Sequence, residues 1–360
     1  MRDTPYLAVD EQLLEANLTA MAEHARQLGV ALRPHAKTHK SVELARRQLA
    51  HGAVGLTVAT VSEAEVFADA GLDDLFIAYP IWAEGPRASR LQALASRVRL
   101  RVGVDSIEGA RMLARAATSG EHPVPLAVAV EVDSGHHRTG VAPDQAGIIA
   151  AAAAEYGLTV EGVFTFPGHS YAPEARASAA HDEALALEVA RESLLGLGLA
   201  CPVVSGGSTP SADAAEGRAT GGVLTELRPG VYPFFDAQQW ELGTVGPGRI
   251  ALTAVATVVS SRGARVVVDL GNKVLGADRA AYATGFGRLP ESPEARIVAL
   301  SEHHATIEFA TAEAAPALGS RVRIAPNHVC AAVNLADELV VEQNAREVAV
   351  WAVDARGANT

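Results

Sequence analysis

Cysteine is nearly absent: Cys201 and Cys330 are the two in 360 residues. So small a number excludes a scaffold built on disulfides. The N-terminal stretch MRDTPYLAVDEQLLEANL has neither the apolar core nor the small-residue cleavage site of an export signal. The two thiols are therefore expected to be free or to serve a metal, and the expected location is cytoplasmic. No apolar run reaches the length of a membrane span, so no membrane partner is expected. Positive charge is also short. Lys plus Arg number 30 against 42 Asp plus Glu, a formal net charge of -12, which argues against a nucleic-acid partner. No repeat at solenoid spacing and no low-complexity tail occurs. What remains is ordinary for a soluble globular chain, 49% hydrophobic and 20% charged.

Apolar, β-branched runs alternate with alanine-rich helical stretches from about residue 30 to 235. Strands are expected at 31–37, 55–59, 74–80, 99–105, 126–133, 160–166, 202–207 and 223–230. Several are apolar throughout, as strands covered on both faces should be. Eight β-then-α units imply a (β/α)8 barrel over residues 12–238. The segment 208–222, STPSADAAEGRATGG, is its weakest helical unit. After about residue 240 the pattern turns to short strands, at 251–261, 264–271, 295–300, 304–310, 320–326 and 347–355. This predicts an antiparallel β domain from residues 1–11 and 239–360.

Chemistry in such barrels sits beyond the C-terminal ends of the strands. Five polar or glycine-rich clusters fall there: Lys37 in RPHAKTHK, Asp133 with SGHHRTG, PGHSY at 167–171, SGGST at 205–209 and RPGVY at 228–232. Glycines let backbone N–H groups approach an anion, and Ser208 and Thr209 add hydroxyl donors, so SGGST has the composition of a phosphate cradle. The same composition also makes a plain strand-to-helix turn. A partly desolvated lysine is a good imine-forming amine. Phosphate cradle plus reactive lysine points to pyridoxal 5'-phosphate (PLP). His328 and Cys330, two residues apart in an extended segment, would point to one face and clamp a metal ion. A buried histidine and a small buried thiol give the same pattern.

RPHAKTHK, EVDSGHHRTG, SGGST, ELRPGVYPFFD and PNHVCAAVNLADEL resemble the D-threonine aldolase and D-serine dehydratase family, PLP enzymes of the alanine racemase-like fold. The resemblance runs from about residue 4 to 350. It implies a PLP-binding barrel with a C-terminal β domain, usually as a homodimer. It implies Lys37 as the cofactor lysine and Arg138 as the arginine facing the pyridine nitrogen. It implies Gly207, Ser208 and Thr209 as the phosphate loop, with Gly230 and Tyr232 nearby, and His169 and Tyr171 facing the cofactor. His35 would support the site, while His39 and Lys40 would be solvated or structural. The pairs at 136–137 and 303–304 stay unassigned.

The resemblance also implies a divalent metal held by His328 and Cys330. Thiolate with imidazole favours zinc over manganese or magnesium. Typical D-threonine aldolases look to have aspartate where this chain has Cys330, which points to the dehydratase branch. The expected activity is thus dehydration of a D-3-hydroxy amino acid to a 2-keto acid and ammonia. The alternatives are retro-aldol cleavage to glycine and an aldehyde, racemisation, or PLP binding without catalysis.

Overall fold

The structure is a computed structural model that describes residues 2–120, 122–218 and 222–360. Residues 219–221 of the 208–222 segment lie outside the described residues. The chain forms two compact units. One comprises Met21–Lys37, Ala45–Gly230 and Ala358–Thr360; the other comprises Met1–Ala20, Thr38–Leu44 and Val231–Gly357.

The chain begins with β1 (Tyr6–Asp10), α1 (Glu11–Leu28), β2 (Ala31–Leu32), α2 (Val42–Ala50), β3 (Leu56–Val58), α3 (Val61–Asp69) and β4 (Asp74–Pro80). It continues through α4 (Pro86–Ala95), β5 (Arg99–Val104), α5 (Ile107–Ala117), β6 (Ala127–Glu131) and α6 (Ala146–Glu155). Then come β7 (Thr159–Phe164), α7 (Arg176–Gly196), β8 (Val203–Gly206) and β9 (Glu226–Leu227). Hydroxyl caps start the helices where the sequence switches period. Thr60 accepts the Glu63 N–H at the head of α3, and Ser106 accepts that of Gly109 at the head of α5.

In the first unit β2 to β9 form one parallel sheet in the order β2-β9-β8-β7-β6-β5-β4-β3. A His35–Thr57 bridge joins its two ends, so the sheet closes on itself. All five residues of β6 are buried, as helices on one face and barrel core on the other require. Phe76 and Phe164 meet edge to face inside, 5.0 Å between centroids. An ionic layer joins Arg33, just after β2, to residues of β4, β5, β7 and β9. Arg33 pairs with Glu226 at 2.7 Å and Asp74 at 2.6 Å, and Arg101 pairs with Glu161 at 2.5 Å and Glu226 at 3.1 Å. Each buried charge here has an opposite partner, without which desolvation would cost several kcal/mol per ion, in order of magnitude.

The first strand is shorter than expected. It ends at Leu32, and Lys37 stands in a 3-10 turn, Ala36–Thr38. Prolines explain this: Pro34 has no N–H to donate and biases Arg33 away from helix. His39 and Lys40 do not open α2, which starts at Val42; both are buried, and the Lys40 ammonium donates to Asn334 Oδ1 at 2.7 Å. Neither side chain is solvated.

The second unit adds α8 (Ala237–Glu241), β10 (Leu252–Arg262), β11 (Arg265–Val268), α9 (Asn272–Leu275), β12 (Arg296–Leu300), β13 (Ala305–Glu308), β14 (Arg321–Ile324), α10 (Val329–Leu335), β15 (Glu338–Gln343) and β16 (Arg346–Ala352). Its sheet runs β12-β13-β11-β10-β1-β15-β16, with β14 also on β10. β1 joins it, as the sequence implied. Two points differ. The β1–β15 pair is parallel, and β15 itself, ELVVEQ, was not anticipated as a strand. Its apolar centre, LVV, is too short to separate strand from helix by periodicity.

Candidate active site

The loops beyond the C-terminal ends of the barrel strands gather Lys37, Arg138 and Tyr171 around a residue that was not singled out. Phe166 follows β7. The Lys37 ammonium lies 5.7 Å from its ring centre and the Arg138 guanidinium 5.2 Å from it. Tyr171 sits 6.2 Å from the same ring in a tilted arrangement, and His136 meets it edge-on at 5.6 Å. Lys37 is half-buried, and its own N–H faces His35 Nδ1 at 3.4 Å. His35 is thereby a neighbour of the lysine's backbone.

The loop bearing Arg138 is held by carboxylates. Asp133 Oδ1 accepts the N–H groups of Gly135 and His137, both at 2.9 Å, and its Oδ2 is 2.6 Å from His137 Nδ1. Burial raises the Asp133 carboxyl, but these N–H bonds outweigh it and hold the group below its usual range. Asp105 accepts the Gly140 N–H at 3.2 Å, and Glu131 accepts the Thr139 hydroxyl at 3.0 Å. Burial pushes Glu131 up to about 7 against the pull of Thr139, Arg138 and Arg228. His136 is held below its ordinary range, first by burial and then by the charge of Arg138.

His169 lies in a 3-10 turn, Gly168–Tyr171, with Nε2 3.4 Å from Asp182 Oδ2; neither ring nitrogen makes a hydrogen bond. Ser170 and Ser208 share a hydroxyl bond at 2.8 Å, and Ser208 and Ser211 another at 2.8 Å. Thr209 is buried beside them in sequence. The backbone N–H groups of the cradle are taken within the unit: Gly207 donates to Glu183 Oε1 at 2.5 Å and Ser208 to Ser211 Oγ at 3.0 Å. Gly230 ends the RPG turn after β9, where Pro229 O accepts the His35 N–H at 3.0 Å. Tyr232 belongs to the β-rich unit, where it is buried. The rim thus offers an amine, a permanent cation and a hydroxyl cluster on neighbouring loops, a donor set that suits PLP.

His328 and Cys330 are not in an extended segment. His328 is the N-cap of α10 and Cys330 stands in its first turn. The capping carboxylate of α8 explains the early helix start: Asp236 Oδ1 caps Gln239 and Oδ2 accepts the Val329 N–H at 3.1 Å. Two residues apart in a helix start, the side chains still meet. Burial lowers the His328 imidazole, but the facing charge and hydrogen bond of Cys330, with Asp236 and Asp278, push it up to about 10. Asp278 Oδ2 lies 2.6 Å from His328 Nδ1, and Cys330 Sγ donates to Thr38 Oγ1 at 3.3 Å. Among the described residues no group of three or more His, Cys, Asp and Glu is placed to hold a metal. The pair suits a metal whose remaining positions are open to water or substrate. Neither Cys201 nor Cys330 is in a disulfide, and burial pushes the Cys201 thiol up to about 11.

Phe166, Glu183 and Asp278 carried no motif, and Glu131 and His136, though inside EVDSGHHRTG, were given no role. Phe166 directly precedes the PGHSY cluster, which was the available signal. Asp278 and Asp236 are far from 328 in sequence, so only folding shows them.

A closed parallel barrel with an amine at its rim, together with a β-rich unit in the same chain, is the architecture of the alanine racemase-like class. The sequence comparisons agree. Residues 9–238 match the alanine racemase N-terminal domain, and residues 251–342 a serine dehydratase domain. D-threo-3-hydroxyaspartate dehydratase of Delftia sp. (strain HT23) is 36% identical, with 91% of each chain covered. D-threonine aldolase of Arthrobacter sp is 35% identical over 99% of this chain and 93% of that one. Two crystal structures superpose along nearly the whole chain. D-threonine aldolase from Filomicrobium marinum has a TM-score of 0.88 at 32% identity, covering 99% of this chain and 97% of its own. A cysteine-to-alanine variant of D-threo-3-hydroxyaspartate dehydratase in the metal-free form has 0.89 at 32%, covering 98% and 97%. The chain belongs to the D-threonine aldolase and D-serine dehydratase family of alanine racemase-like proteins.

Proposed function

We propose that this protein is a PLP- and divalent-metal-dependent lyase acting on D-3-hydroxy amino acids, and that it dehydrates them to a 2-keto acid and ammonia. The observation that carries this reading is Lys37 and Arg138 disposed about one aromatic ring at the barrel rim. In this reading the barrel, residues 12–238, holds PLP, and the β domain, residues 1–11 and 239–360, holds the metal. Bound PLP would draw electrons from Cα, and the metal would act as a Lewis acid on the β-hydroxyl. Lys37 binds the cofactor and takes the proton from Cα. Arg138 stays charged at the pyridine nitrogen and keeps that nitrogen unprotonated. Gly207, Ser208 and Thr209 receive the phosphate, with Tyr171, Gly230 and Tyr232 as further contacts. His328 and Cys330 supply nitrogen and sulfur to the metal, a pair that favours zinc. A homodimer in the cytoplasm completes the reading.

The dehydratase reaction rests on Cys330. A cysteine, rather than an aldolase-like carboxylate, meets His328, and the metal-free cysteine variant among the related structures is a dehydratase. Retro-aldol cleavage is the second reading, favoured by His169. Neither ring nitrogen is hydrogen-bonded, so the one without a proton could take that of a β-hydroxyl. Product identification decides between them. With D-threonine or D-phenylserine the expected products are keto acid and ammonia, lost on chelation; glycine plus an aldehyde as main products would replace the first reading with the second.

A further inference from the structure

The SGGST turn is shaped from behind by a carboxyl group. Glu183, on α7, is 1% exposed. Its Oε1 accepts the Gly207 N–H at 2.5 Å, and its Oε2 has no hydrogen-bond partner. A Cβ on Gly206 would stand 2.3 Å from that Oε1, so this glycine makes room for Glu183. Gly207 has φ +83, and a Cβ there would stand 2.7 Å from Leu227 Cδ2. Both glycines are thus accounted for by what surrounds the turn.

An anion received by residues 207–209 and a carboxylate behind Gly207 are like charges across one peptide group. Arg228 is the charged side chain acting on Glu183, and its guanidinium is committed to Ser205 Oγ at 2.8 Å and to Thr165 O. On α7 itself Asp182 faces His169 at 3.4 Å and Arg176 faces Asp213 at 3.6 Å. Burial pushes the Glu183 carboxyl up to about 7, against the Gly207 N–H and Arg228. It can therefore change protonation near neutrality.

We propose that Glu183 is a positioning residue for the anion-binding turn: it fixes the Gly207 peptide and takes up a proton when the turn receives a phosphate group. This rests on the reading of residues 207–209 as the phosphate turn. Three proteins, freed of cofactor, test it: wild type, Glu183→Gln and Glu183→Ala. Each is titrated with PLP and with inorganic phosphate as its competitor, and proton exchange is followed with an indicator dye at about pH 8, where the carboxyl is mostly ionised. Wild type should take up more protons than Glu183→Gln, whose amide oxygen still accepts the Gly207 N–H and whose PLP affinity should lose the wild-type pH dependence. Glu183→Ala should bind PLP about tenfold more weakly, the loss of one buried acceptor. Equal proton counts and pH profiles in wild type and Glu183→Gln would overturn Glu183's part alone, and they decide the matter even if Glu183→Ala does not fold. Wild type that binds PLP without competition from inorganic phosphate would overturn the turn's assignment, and the proposal with it.

Discussion

The barrel rim and the His328–Cys330 pair are built in opposite ways. At the rim, carboxylates behind each loop fix the backbone: Asp133, Asp105 and Glu131 behind Arg138, Glu183 behind Gly207. The pair on α10 has a slighter frame, a helix start capped by Asp236 and an imidazole steadied by Asp278. In the proposed reading the labour is divided: the rim would grip a large organic cofactor at many points, and the pair would hold an ion at two and leave the rest of its sphere for chemistry.

Loss of one function without the other would sharpen that comparison. Lys37→Ala should lower turnover by at least about 100-fold and remove the lysine-dependent cofactor absorbance, while metal content stays unchanged. Cys330→Ala should do the reverse, with bound cofactor absorbance retained and metal affinity lowered by about 100-fold or more, beyond the effect of a supporting group. If either substitution removed both cofactor and metal, the two regions would not be separable. Asp278→Asn should weaken metal binding by about 10–100-fold, read by competition with a chromophoric chelator. Gly207→Ala should cost about 1–3 kcal/mol of stability through its positive φ, read by denaturant titration.

A further effect is in pH. Glu131 and Glu183 are each raised from 4.5 to about 7 in the folded chain. Groups raised in this way contribute stability below about 4.5 that is lost as pH rises through about 7. The thermal midpoint of the cofactor-free protein should therefore fall between about pH 5 and pH 8, and fall less in Glu183→Gln. An unchanged slope in that variant would place the titration elsewhere.

Much of this was legible in the residues. Each of the eight barrel strands falls within its expected range or within a residue of it, because apolar β-branched runs between helical stretches carry a strong period. RPHAKTHK was harder. Its two ends looked like strand and helix, but Pro34 cuts the strand short and Lys37 stands in a tight turn. PNHVC looked extended and is a helix start, because Asp236 lies 93 residues away in sequence and its effect on Val329 has no local signal. Phe166, Glu183 and Asp278 were hidden for the same reason. Each is an ordinary residue until a loop from elsewhere packs against it.

The central claim is that one particular amine carries the cofactor. The chain has three lysines, Lys37, Lys40 and Lys273, which makes the claim simple to test. The protein is loaded with PLP, reduced with borohydride, digested and mapped by mass spectrometry. The account predicts the stable adduct on Lys37. An adduct on Lys40 or Lys273, or no adduct, would contradict it.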